Sequence, residues 1–183
     1  VSLVNLRATP IERITANGIQ TRDAEYPLDI IIFATGFDAM TGSLLKMDIS
    51  GRDGVKLKDY WAAGPRNYLG LQVPGFPNMF TITGPGSPSV LCNLPPAIEQ
   101  HVCWITDCIR TMRDKGMECI EATEQASEEW REEVNRAAQA TLLAQVKHSW
   151  YLGANVPGKP QVFMPYAGGF GHYSQICQQV AQD

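Results

Sequence analysis

The hexapeptide Gly84-Pro85-Gly86-Ser87-Pro88-Ser89 lies between an apolar run and a helix start. It is where the chain comes nearest to a phosphate-binding loop. It misses the pattern G-x-G-x-x-G, because Ser89 stands at the third glycine position. Its two prolines also remove backbone N–H donors that would cradle a pyrophosphate. One property survives. A rigid loop entering a helix aims the helix's unpaired N–H groups at one spot, and that spot favours negative charge. A second candidate is Ala34-Thr35-Gly36, small residues at the carboxyl end of an apolar run. Such ends let another backbone or a ligand approach closely, although a plain strand-to-loop exit explains the same residues. Ser87, Ser89 and Cys92 have no histidine placed beside them by the sequence, so no nucleophile–base pair is visible. No pair of carboxylates stands out. The five cysteines (Cys92, Cys103, Cys108, Cys119, Cys177) form no C-x-x-C pair, and His101, His148 and His172 lie far apart. A metal site is therefore not expected.

The elements that must carry these residues read as a mixture of strands and helices. Val1 to Leu6 alternates, and Pro10 to Thr15 reads as a second strand. Asn17-Gly18 turns the chain into a partner strand, Ile19 to Thr21. Leu28 to Phe37 has four successive bulky apolar residues, the pattern of a strand buried on both faces in a parallel sheet. Asn78 to Thr83 reads as a second buried strand. Asn93 is a suitable N-cap, and Pro95 and Pro96 suit a first helical turn. Ile98, Val102, Ile105, Ile109 and Met112 then recur at helical spacing, and Lys115-Gly116 ends the helix. A second helix starts near Thr123, with Trp130 as its core anchor and an acidic, solvated face. A Gly/Pro-punctuated loop from Trp150 to Pro160 precedes a short strand, Gln161 to Met164, and a terminal helix, Tyr173 to Val180.

Composition bounds the rest. The 183 residues carry 15 Lys and Arg against 19 Asp and Glu, and 44% are hydrophobic. That is an ordinary globular balance, with no basic cluster for nucleic acid. No apolar run approaches the length of a membrane span. With no signal peptide visible, unbridged cysteines point to the cytoplasm. The chain opens at Val1, within an apparent strand and without a methionine, which suggests a piece of something longer.

Three segments together carry a resemblance to a known family. They are LDIIIFATGFDA, the run from LKDYWAAGPRNYLG through TITGPGSPSVLCNLPPAIEQHVCWITDCI, and SWYLGANVPGKPQVFMPYAGGF. In this order they closely resemble the C-terminal part of Baeyer–Villiger monooxygenases of the phenylacetone, cyclohexanone and steroid monooxygenase group. The resemblance implies an α/β fold, a C-terminal fragment of a flavoprotein with two dinucleotide-binding domains. Residues 1–37 would be the terminal strands of the NADP-binding domain. Residues 38–183 would be the returning part of the FAD-binding domain, with an active-site bulge and a mobile loop. It implies FAD and NADPH as cofactors, O2 as co-substrate, and oxidation of a ketone to an ester or lactone. By the same resemblance, Ala34, Thr35 and Gly36 mark the passage between the domains. Asn93 and Leu94 meet the flavin ring, whose pyrimidine edge gains negative charge on reduction and suits a helix start. Ser89, Val90, Leu91 and Cys92 shape the ketone pocket, and Trp150 and Lys159 lie in the NADP-contacting loop.

The family's two G-x-G-x-x-G motifs, its F-x-G-x-x-x-H-x-x-x-W-P fingerprint and its catalytic arginine are not in this sequence. All would precede Val1, so the chain alone is expected to be inactive and to fold poorly. Two other readings stay open. One is another flavin monooxygenase of the N-hydroxylating type, and the other is a non-enzymatic interaction module.

Overall fold

The computed structural model describes residues 1–146 and 148–182. The chain divides into two units, Val1–Gly36 and Phe37–Asp183. In the first, β1 (Ile11–Thr15), β2 (Gly18–Thr21) and β3 (Glu25–Pro27) form an antiparallel sheet in that order. Asn17-Gly18 makes the first turn as expected, and Gly18 pairs with Pro27. A Cβ at Gly18 would lie 2.0 Å from the Tyr26 carbonyl oxygen, so only glycine lets β3 approach this closely.

Two expectations fail in this unit. Val1 to Leu6 forms no strand. Leu28 to Phe37 also lacks strand structure, and Ile30, Ile32 and Phe33 are 78%, 84% and 71% exposed. A strand buried on both faces needs strands at both edges and helices over both faces, and among the described residues no strand lies beside it.

The second unit is built on helices and turns. Short helices α1 (Gly42–Leu45) and α2 (Leu57–Tyr60) precede the long α3 (Leu94–Asp114), α4 (Glu124–Gln139) and α5 (Phe170–Val180). Around α2, Leu57, Trp61, Val73 and Phe76 form one buried cluster. A larger cluster joins Leu69 and Leu71 to Trp130 and Val134 of α4, to Phe163 and Tyr166, and to Tyr173 and Cys177 of α5. Trp104 of α3 donates to the Cys177 carbonyl at 2.8 Å, tying α3 to α5. Thr123 caps α4 by accepting from Ala126 N–H at 3.1 Å. Trp130 is buried, as the helical spacing indicates.

Asn78 to Thr83 makes only one isolated bridge, Gln72 with Phe80, and Gln161 to Met164 forms no strand. Backbone groups there bond turns instead: Thr81 N–H to Leu71 C=O at 2.8 Å, and Met164 N–H to Tyr151 C=O at 2.9 Å. The apolar stripe of α3 is half right. Its buried positions are Ala97 and His101, while Ile98, Val102 and Ile109 are 40%, 43% and 52% exposed. Among the described residues, no helix is long and apolar enough to cross a membrane.

Candidate functional site

The Gly84–Ser89 loop is buried almost throughout. It is held from several directions. Gly86 N–H donates to the Met164 carbonyl at 2.6 Å, and Tyr166 N–H to the Ser87 carbonyl at 2.7 Å. The Trp130 indole N–H donates to the Gly86 carbonyl at 3.0 Å. Gly86 has φ +89, and a Cβ there would lie 2.9 Å from Asn67 Oδ1 and 3.0 Å from Trp130 Nε1. The Ser87 hydroxyl, fully buried, donates to the Gly84 carbonyl at 2.7 Å. At the loop's ends Thr83 and Ser89 take left-handed φ of +52 and +44. Non-glycine residues rarely do so, and they hold that conformation only where their surroundings over-determine it.

Ser89, Val90 and Leu91 follow as a single 3-10 turn. Ser89 is buried and the next three residues are half-buried. The Cys92 thiol donates to the Ser89 carbonyl at 3.2 Å, and burial pushes its pKa up. That suits a pocket wall better than a nucleophile. Asn93 and Leu94 are exposed at the start of α3, and the Asn93 side chain makes no capping bond. Pro95 and Pro96 lack N–H groups, and Ala97 N–H reaches the Asn93 carbonyl at 3.4 Å. The helix start therefore offers the backbone N–H of Leu94 rather than the usual set of orphan donors. One open donor at a helix entrance fits the edge of a flat heterocycle such as a flavin. It does not fit a pyrophosphate, which needs several.

No residue of Phe37–Met40 was a site candidate from the sequence, yet this segment joins the separate candidates. The Ser89 hydroxyl points to Met40 Sδ at 3.4 Å. Lys159 forms an ion pair with Asp38 and lies 3.4 Å from the Ala39 carbonyl. The Asn155 amide donates to the Phe37 carbonyl at 3.0 Å. The Lys159 side chain is only 11% exposed. Its ammonium is thus engaged within the protein and anchors its loop. The only local signal in this segment is the left-handed φ of Met40, +67, which a sequence does not display.

Trp150 begins a 3-10 turn, is 36% exposed and stands edge-on to Tyr151. The turn is set by Ser149, whose hydroxyl accepts from Tyr151 N–H at 3.1 Å. Ala34, Thr35 and Gly36 are exposed and end the first unit; the other candidates all lie in the second. A recess of about 400 Å³ opens elsewhere, between α4 and α5, lined by Glu129, Glu133, Arg136 and His172 among others. None of the candidate residues lines it. Among the described residues, no His, Cys, Asp or Glu cluster could hold a metal ion.

His101 was unremarkable in the sequence and is a hub in the structure. It is fully buried on α3, between Thr83 and Tyr173. Burial lowers its pKa from 6.5 to about 4, so it is neutral near neutral pH.

No protein-family profile matches the chain. Individual relatives do. It is 42% identical over its whole length to a Baeyer–Villiger monooxygenase of Pseudooceanicola batsensis, and 41% identical to a phenazine N-monooxygenase of Lysobacter antibioticus. It superposes with a TM-score of 0.87 on a steroid monooxygenase bound to NADP, at 51% identity over 99% of the chain. The OTEMO complex with FAD and NADP gives a TM-score of 0.89 at 42% identity over 98%. In every case the chain spans about a third of the length of the relative it matches: 33% for the first of these proteins and for the steroid monooxygenase, and 32% for OTEMO. The mixture of helices and strands is that of the corresponding third of these proteins. The chain belongs to the Baeyer–Villiger monooxygenase family, as a C-terminal part.

Proposed function

We propose that the full-length protein is an FAD-dependent, NADPH- and O2-using monooxygenase that converts ketones into esters or lactones. The observation that carries this is the match along the whole chain, in sequence and in fold, to relatives named for that chemistry and solved with NADP and FAD. FAD, reduced by NADPH, supplies the oxygen-activating chemistry when bound.

This chain's residues then have binding and shaping roles. The Leu94 N–H and the exposed Asn93 at the start of α3 meet the flavin edge, where the helix end favours the negative charge of the reduced ring. Ser89, Val90, Leu91 and Cys92 form one wall of the ketone pocket. Their half-buried apolar surface helps exclude water from it. Ala34, Thr35 and Gly36 take part at the passage between the NADP- and FAD-binding domains, residues 1–37 and 38–183. Trp150 offers an exposed ring to NADP. Lys159 serves the same loop by pinning it through Asp38. The five free thiols are in line with a cytoplasmic setting.

The test uses the full-length protein. Purified, it should carry FAD and oxidise NADPH faster when a ketone is added, with the ester as product. The relative that oxidises a phenazine nitrogen favours a second reading, an N-oxygenating enzyme. Turnover of an aromatic N-heterocycle to its N-oxide, with ketones ignored, would establish that reading instead.

A further inference from the structure

We propose that His101 is a positioning residue for the flavin-facing segment, fixing its shape through one hydrogen bond at Nδ1. This rests on the roles given above to Ser89–Cys92, Asn93 and Leu94. His101 lies about two turns past Leu94 on α3. Its Nδ1 accepts the Thr83 N–H at 2.9 Å. Its Nε2 lies 2.9 Å from the Tyr173 hydroxyl, and that hydroxyl donates to the Leu69 carbonyl at 2.7 Å. The hydroxyl has a single proton, and it goes to Leu69. Nε2 must therefore carry hydrogen and Nδ1 the lone pair. One neutral tautomer satisfies every group in this buried row.

Both backbone ends of the row are in the left-handed region. Thr83 has φ +52 and Leu69 has φ +58. For a β-branched threonine that conformation is a genuine outlier and relaxes unless something holds it. His101 holds it. Thr83 and His101 also bracket everything between them: the Gly84–Ser89 loop, the pocket-wall residues and the first turns of α3. The Thr83–His101 bond closes the base of that segment. Without the Nδ1 acceptor, Thr83 is free to return to ordinary backbone geometry, and the start of α3 loses its fixed distance from the loop.

Two substitutions in the full-length flavoprotein separate the two ends of the imidazole. His101→Asn keeps an acceptor near the Nδ1 position but cannot reach Tyr173. His101→Gln can reach Tyr173 but has no acceptor near Nδ1. Apo-protein is titrated with FAD, followed by quenching of flavin fluorescence, and Tm is measured on the same samples. Both variants should lower Tm. Only His101→Gln should weaken FAD binding, by about tenfold, the equivalent of one hydrogen bond, with His101→Asn within about twofold of wild type. Equal losses of FAD affinity in the two variants, or losses that follow Tm, overturn the proposal. If neither variant folds, the imidazole 15N spectrum of the wild type decides: Nε2–H supports it and Nδ1–H overturns it. A wild-type protein that binds no FAD at all would instead refute the proposed function.

Discussion

Trp130→Phe should loosen the Gly84–Ser89 loop without unfolding the protein. The indole is 5% exposed and stacks near Tyr166 and Tyr173, with ring centroids 5.0 and 6.1 Å away. Phenylalanine keeps most of that packing but cannot donate. The Gly86 carbonyl, buried and 3.0 Å from Nε1, is then left without this donor. Orphaning a buried acceptor costs about 1–3 kcal/mol, and the missing edge of the ring adds about 1 kcal/mol. The sum is about 2–4 kcal/mol, concentrated on the loop. Native-state hydrogen exchange reads it directly, because the Tyr166 N–H is bonded to the Ser87 carbonyl within the loop. At about 1.4 kcal/mol per factor of ten, exchange of that amide should speed up by about 30-fold or more. An unchanged rate at Tyr166 would show that Trp130 is a space-filling side chain only, and the account of how the loop is held would be wrong.

Three further outcomes follow from the same structure. The depressed pKa of His101 means that the unfolded state binds more protons between pH 6.5 and about 4, so stability should fall as pH drops through that window, by up to about 3 kcal/mol. Urea unfolding at several pH values should show this slope in wild type and a shallower one in His101→Asn. Gly18→Ala puts a methyl 2.0 Å from the Tyr26 carbonyl oxygen and should abolish protection of the Leu28 amide, which donates to the Asn17 carbonyl. Asp38→Asn leaves the mostly buried Lys159 ammonium without its carboxylate, at a cost of about 1–3 kcal/mol. Faster exchange of the Val162 amide, bonded to Leu152 in the loop stem, is the expected reading.

What the sequence made legible was local. Asn17-Gly18, Thr123 and Lys115-Gly116 mark their turns and helix ends correctly, because each acts through bonds to near neighbours, and Asn93 before Pro95-Pro96 marks the start of α3 although its side chain makes no capping bond. The failures are cases where long-range partners decide. Leu28 to Phe37 has the composition of a central strand, but among the described residues no strand flanks it. The α3 stripe was read from periodicity, while the packing partners Tyr173 and Cys177 select the neighbouring face, with Ala97 and His101. By the family resemblance, Lys159 in the loop Trp150–Pro160 was expected to serve NADP. Its partner Asp38 lies 121 residues away, beyond the reach of any spacing rule. His101 was passed over for the same reason: both of its partners are defined only by the fold. The family resemblance was legible because it drew on three segments in order, which no single loop could supply.

The most direct measurement is turnover of the full-length, FAD-loaded protein with NADPH, a panel of linear and cyclic ketones, and 18O2. The account predicts an ester or lactone carrying one 18O atom, formed in step with NADPH oxidation. NADPH oxidation with no oxygenated product from any ketone, or label appearing only in an N-oxide, would contradict it.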